Sequence, residues 1–304
     1  MPIHKDIVSL YEALDGLEQS RREEEFHHYI SLEGFAGMTQ KYIKDGILTF
    51  HASHVRFSND TTEFAIGEKE IQDIVKEKLG EDYNNGISKS GYSEVYATCF
   101  CKKGDGLLHQ WACYGENGGL SIEFDFSNIE MSWWEEENNG NNDGSMINAK
   151  PVAVYYDKKE YKEQIEKIIN IGAYIDNEDK KAILNAYMAL RKAKVFKLEL
   201  ESRLLFWPCE KQSCEKQSIV KYKINRGILV PYLEISLKSE DKSKPIIKSI
   251  TIGPGKDQVM IFNSVFQMIE PDLSKHDFLS ELPPNGKLTS NGILIKPSKI
   301  PFRA

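Results

Sequence analysis

Three stretches of the chain carry side chains whose types and spacing could do chemistry together. The first is His27-His28-Tyr29-Ile30-Ser31, where a strand end meets a helix start. The second is Trp111-Ala-Cys-Tyr114, followed by Gly118-Gly119 and the acidic strand that ends Glu123-Phe-Asp125. The third is Glu199-Leu-Glu201-Ser-Arg203. Read as an extended strand from Phe196 to Trp207, period-two alternation puts Lys197, Glu199, Glu201 and Arg203 on one face and Leu198, Leu200 and Ser202 on the other. Such a charged stripe needs partners or water. As a set, the three stretches supply imidazole, aromatic faces, carboxylates and a guanidinium. Taken singly, each also has a purely structural account. His28 is then a buried histidine with a satisfied hydrogen bond, Trp111 and Tyr114 are core residues three apart on a helix, and Glu199, Glu201 and Arg203 form an internal ion-pair network.

Most catalytic signatures are missing. There is no G-x-x-x-x-G-K-[ST], no G-x-G-x-x-G after a strand, no G-x-S-x-G and no H-E-x-x-H. Gly253-Pro-Gly-Lys256 opens a helix and offers backbone N–H groups to an anion, but it also reads as a plain strand-to-helix turn. His51 and His54 make a weak metal pair, and Cys209 and Cys214 lack two further ligands for zinc. No metal is therefore expected. Cys99 and Cys101 share one face of a strand and read as buried thiols. A weaker alternative is a metal-dependent nuclease, with Asp125 and Glu199 or Glu201 holding Mg²⁺. A convincing Glu-x-Lys after an acidic residue is absent.

The elements that must position these groups follow from periodicity and caps. Residues 5–25 read as an amphipathic helix through Ile7, Leu10, Leu14 and Leu17, followed by a strand from Phe26 to Ile30. Ser31 caps the next helix and Gly46 stops it. Ile47 to Ser53 alternates as a strand, with Thr49, His51 and Ser53 opposite Leu48, Phe50 and Ala52. A helix runs to about Leu79, a loop covers 80–93, and Ser93 to Cys101 is a strand. A short helix holds Trp111 and Tyr114. Residues 127–150 look like a surface insertion around Trp133-Trp134. A strand from Pro151 to Tyr156 precedes helices at about 158–173 and 177–195. Residues 218–237 suggest a β-hairpin, Pro245 to Ile252 a strand, and a helix runs to about Ile269. A last strand lies in Gly292 to Arg303. Strands and helices are interleaved, but the late strands come in sequence, which favours α+β with mixed, mainly antiparallel sheets in a single domain over 1–304.

The whole chain, 304 residues with 40% hydrophobic and 28% charged, is ordinary for a globular protein. A formal net charge of -7 argues against a phosphate-binding surface spread over the whole domain, though not against a local basic groove. No run of about 18 apolar residues is present, and the charged N-terminus lacks a signal-peptide core, so a cytoplasmic protein without membrane attachment is expected.

Several of these pieces carry a resemblance. They are His28-Tyr29-Ile30-Ser31, Asn59-Asp60 with Glu63, Trp111-x-x-Tyr114 with Gly119-Leu-Ser-Ile-Glu-Phe-Asp125, Phe196-x-x-Glu199-x-Glu201-x-Arg203, Ile252-Gly253-Pro254, and Ser298-Lys-Ile-Pro-Phe-Arg303. In this order and spacing the chain resembles the bacterial family called domain of unknown function 2971, with Phe196 where that family usually shows Trp. Its opening strand-helix-strand with a His-Tyr pair is also similar to ADP-ribosyltransferases. That second resemblance implies a split sheet and an NAD-consuming transferase or NAD glycohydrolase, as in a toxin or phage-defence effector. By position it implies that His28 orients the NAD ribose and that Tyr29 or Tyr42 packs near nicotinamide. Glu201 becomes the catalytic carboxylate with Glu199 or Arg203 assisting, and Arg203 or Arg56 pairs the pyrophosphate. Trp111 and Tyr114 close an aromatic wall, and Ser31 and Ser53 complete the cofactor set. The implied partners are NAD and a macromolecular acceptor, protein or nucleic acid. The competing expectation is a module that binds a nucleotide or a protein without consuming it.

Overall fold

The computed structural model describes residues 25–58, 62–80, 95–115, 118–132, 151–170, 177–206, 220–225, 227–239, 241 and 244–301. The expected helix at 5–25, the Asn59-Asp60 loop, Trp133-Trp134, Cys209 and Cys214 lie outside them.

Local signals place most boundaries. Strand β1 is Phe26–Ile30. Helix α1, Leu32–Thr39, starts on Ser31, whose Oγ accepts from Gly34 N at 3.1 Å. A short helix α2, Tyr42–Asp45, ends on Gly46 in the left-handed conformation that glycine adopts freely. The single helix expected from Ser31 to Gly46 is therefore broken at Gln40–Lys41. Strand β2 is Leu48–His54, helix α3 Thr62–Leu79, strand β3 Tyr96–Cys101, helix α4 Leu108–Tyr114 and strand β4 Leu120–Phe124. Part of the expected insertion is structured: Ile129–Ser132 forms β5. Strand β6 is Val152–Ala153, helix α5 Lys158–Asn170 and helix α6 Asn177–Met188. Then come β7 at Glu201–Phe206, β8 at Val220–Asn225, β9 at Ile228–Ser239, β10 at Ile247–Ile252, helix α7 at Gln258–Ile269, β11 at Lys287–Leu288 and β12 at Leu294–Pro297.

Two further expectations need correction. Helix α6 ends at Met188 rather than about 195, because the following chain turns extended and Arg191 bridges Tyr155. The expected long strand from Phe196 to Trp207 is a 3₁₀ turn over Lys194–Glu199 and a strand that starts at Glu201. Leu200 between them has φ +49°, the one described non-glycine residue in the left-handed region. That break takes Lys197 and Glu199 off the strand face shared by Glu201 and Arg203. It also leaves Val195 and Leu198 exposed.

Among the described residues the strands join one sheet, antiparallel except where β10 pairs β12, which makes the fold α+β as expected. Its centre is a fork. β7 pairs with β3 along its whole length, from Tyr96↔Phe206 to Cys101↔Glu201, and so uses one edge of β3. The other edge is shared. β1 meets it only at His27↔Cys101, and β2 only at Ser53↔Ala97 and His54↔Tyr96. From the fork one limb runs β1-β4-β10-β12-β11 and the other runs through β2 and β9, with β8 and β5 on the far edge of β9. The fork lies within one hydrogen-bonded sheet.

The limbs fold toward each other. Their inner faces pack Phe50 of β2 against Phe124 of β4, with ring centroids 5.2 Å apart, in a core that α1 and α7 close with Phe35, Met38, Phe262 and Phe266. A second core lies under α3, α5 and α6, where Ile71, Val75, Ile165 and Leu184 are buried beside Ala97 and Leu205. Helices α3 and α6 approach so closely that a Cβ on Gly67 would sit 2.2 Å from the Met188 carbonyl oxygen.

Candidate functional site

The fork leaves the middle of one β3 edge without a strand partner, and a side chain takes that place. His28 Nδ1 lies 2.8 Å from the Cys99 carbonyl oxygen. A carbonyl only accepts, so Nδ1 carries the proton and Nε2 keeps a lone pair. Burial holds this imidazole below the ordinary histidine range, opposed by the hydrogen bond to Cys99 and reinforced by the Lys223 cation. His28 is therefore neutral near pH 7, with an acceptor nitrogen available. The ring also packs on Phe50 at 5.4 Å and Phe100 at 5.7 Å.

On the other face of β3, the Cys99 thiol faces Glu201, and burial followed by that carboxylate pushes its pKa well up, which keeps it protonated. His28 is half-buried and Cys99 is exposed, so solvent reaches both.

Behind Cys99 is a buried ion network. Arg203 Nε donates to Glu201 Oε1 at 2.6 Å, Nη2 to Glu63 Oε2 at 2.7 Å and Nη1 to the Ala189 carbonyl at 2.6 Å. Lys192 Nζ reaches Glu63 Oε1 at 2.8 Å, Glu201 Oε2 at 2.7 Å and Glu199 Oε2 at 2.5 Å. Its ammonium also lies 5.2 Å over the Phe196 ring. The Glu201 backbone N–H donates to the Tyr156 hydroxyl at 2.9 Å. Three carboxylates against two cations leave one excess negative charge. Glu201 is lowered to about 2: burial raises its pKa, and the Arg203 and Lys192 charges more than overcome that. It is an ionised carboxylate at any physiological pH. Glu199 is the accessible member, its side chain 22% exposed where that of Glu201 is 5%.

A third group lies beside the network on the same face. Tyr29 stacks edge-on to Trp111 at 4.8 Å, and both pack with Cys101, Leu107 and Leu200. The Tyr29 hydroxyl donates to the Lys103 carbonyl at 2.9 Å. Trp111 lies on Gly253, where a Cβ would come within 2.7 Å of its ring, so the Gly253 backbone approaches the indole closely while its N–H donates to the Gly119 carbonyl at 2.8 Å.

The structure brings together Glu199, Glu201, Arg203 and Glu63, and separately Tyr29, Trp111, Gly119 and Gly253. His28 and Glu201 do not meet directly as expected. Strand alternation turns His28 to the inner face and Glu201 to the outer one, and Cys99 stands between them, its carbonyl on one and its thiol toward the other. Arg203 has its donors spent within the network. Arg56 is held by Glu68 at 3.3 Å and lies 4.5 Å over Phe64. Ser31 is used as a helix cap. Tyr42 packs against the inner core and Tyr114 is exposed. Ser53 lies on the outer face of β2, level with Tyr232. Asp125 caps a 3₁₀ turn by accepting from Ser127 N at 3.0 Å, and Glu199 and Glu201 face cations rather than each other across an open site. Among the described residues no group of three or more His, Cys, Asp or Glu side chains is placed to hold a metal ion. Lys192 and Tyr156 escaped sequence reasoning because no spacing rule links a residue at a helix exit to a carboxylate on another strand.

The family comparison bears on this network. Residues 110–204 match the family described as Protein of unknown function (DUF2971). The resemblance drawn from the sequence thus holds over the stretch that carries Trp111, Lys192, Glu199, Glu201 and Arg203. The DUF2971 match ends within β7 and leaves β1, β2 and the β8–β9 hairpin outside it. No curated protein and no solved structure matches the chain. No helix among the described residues is long and apolar enough to cross a membrane.

Proposed function

We propose that this chain is an NAD-consuming enzyme of the ADP-ribosyltransferase or NAD glycohydrolase type, acting beside the fork. The observation that carries this reading is Cys99, one residue that ties a tautomer-fixed, neutral imidazole to a permanently ionised carboxylate. In glycosidic cleavage the C1′–N bond breaks and its electron pair leaves with neutral nicotinamide. Positive charge then develops on the ribose. An anionic network beside C1′ opposes that charge without reorganising. Water or an acceptor nucleophile forms the new bond to C1′, and its proton passes to solvent. Glu199 presents the accessible carboxylate and the Tyr29–Trp111 pair supplies an aromatic wall on the same outer face, while His28, on the inner face, holds the Cys99 backbone that backs the network. Glu201, Arg203 and Lys192 are positioning residues that hold Glu199 and fix the field.

The test is nicotinamide release from NAD, with and without protein or nucleic-acid acceptors. Glu199→Gln and Glu201→Gln are each expected to lower turnover by about 10²-fold or more while the circular dichroism spectrum is kept. Turnover unchanged in both variants ends this reading. A second reading, a module that binds a nucleotide or protein without consuming it, is favoured by one observation: both Glu201 oxygens are already taken by Lys192 and Arg203. Thermal stabilisation by NAD with no nicotinamide released by the wild-type protein selects it.

A further inference from the structure

On the same outer face of the sheet as the ion network, the β2–β9–β8 ladder carries a second cluster. Direct register partners share a face, so His51 and Ser53 of β2, Tyr232 and Glu234 of β9, and Lys221 and Lys223 of β8 project together. The His51 ring lies on Tyr232 with centroids 4.2 Å apart. Lys223 Nζ sits 5.4 Å over the same ring. Glu234 is taken by Lys221 at 3.0 Å, which cancels that pair. No carboxylate among the described residues pairs with Lys223, so this face keeps one uncompensated positive charge in an otherwise acidic protein.

We infer that Lys223, His51 and Ser53, grouped around Tyr232, form a binding site for a phosphate-bearing anion. Lys223 supplies the charge, His51 and Ser53 supply N–H and O–H donors, and the Tyr232 ring limits access to one side. The energetics point the same way. Burial depresses Lys223, and His51 is depressed by burial first and by the Lys223 cation next. Lys223 thus holds its charge at a cost that a bound oxyanion would remove. Lys223 also depresses His28, so its charge is felt at the fork. Where the NAD reading holds, and only to that extent does the inference rest on it, this site takes the pyrophosphate that Arg203 and Arg56 are not free to hold.

Inorganic pyrophosphate, titrated into the full chain by calorimetry, tests the site without any turnover. The wild-type protein is expected to bind it. Lys223→Met keeps the stem on Tyr232 and should weaken binding at least tenfold, while Lys223→Arg should retain it. Protonation of His51 adds a second positive charge beside Lys223, with Lys221 and Glu234 remaining paired, so the wild type should gain affinity relative to His51→Phe as pH falls toward 6. Lys159→Met, an exposed lysine on α5, should bind as wild type. No binding by the wild type, or equal binding by Lys223→Met, overturns the inference even if NAD is consumed. Pyrophosphate binding without NAD turnover supports the site and removes the enzymatic reading instead.

Discussion

At the scale of single residues, Glu201 decides how the protein responds to acid. Its carboxyl is depressed from an ordinary value of 4.5 to about 2 because Arg203 and Lys192 outweigh burial. A depressed carboxyl contributes stability that is complete above the unfolded value and is lost as pH falls through the folded one. The urea midpoint should therefore decline between about pH 4.5 and pH 2. His28, also depressed, adds a loss that begins below its ordinary 6.5, since the unfolded chain binds that proton more readily. Glu201→Gln should lower the midpoint at pH 7 and flatten its acid limb. A variant whose midpoint falls with acid as steeply as wild type would show that the network does not set the pH response. Removing one partner of a buried pair costs about 3–5 kcal/mol, so the neutral variant should be clearly less stable yet measurable.

At the scale of elements, the fork is the feature that matters. A β3 edge with no strand beside it leaves a backbone carbonyl to be satisfied by something else. The His28 imidazole does this for Cys99, and its ring fills the angle between Phe50 and Phe100. His28→Phe should keep the ring contacts and orphan the carbonyl, at a cost of about 1–3 kcal/mol in urea denaturation. No loss would mean that water replaces the imidazole. Leu200 marks the other element-level surprise. Period-two alternation from Phe196 onward suggested one continuous strand, but the left-handed turn at Leu200 lets Glu199 and Glu201 approach Lys192 from two directions. Alternation carries no information about such a turn, and a leucine there gives no warning of it.

At the scale of the whole molecule, two cores lie on opposite faces of the same central strands. Leu204 belongs to the core between the limbs and Ile165 to the core under the helices. Because β3 and β7 contribute to both, the faces should unfold together. Leu204→Ala and Ile165→Ala should each cost about 2–5 kcal/mol and shift one shared transition seen by both fluorescence and circular dichroism. Two separated transitions in either variant would show that the cores are independent.

The sequence by itself determined the elements whose signals are local. These include the β1 boundaries, the Ser31 cap, the Gly46 stop, the end of α3 at Leu79, the faces of β2 and the hairpin near 218–237. Caps, left-handed glycines and alternation act over a few residues, so they are written in the order of the chain. The tertiary structure alone decided what the chemical groups do. Glu63 and Arg203 are 140 residues apart and share a hydrogen bond, and Lys192 joins them from a helix exit. Pairing across such distances follows from which strands lie side by side, and the forked edge of β3 set that arrangement. The same fork turned His28 and Glu201 to different faces while leaving both in contact with Cys99.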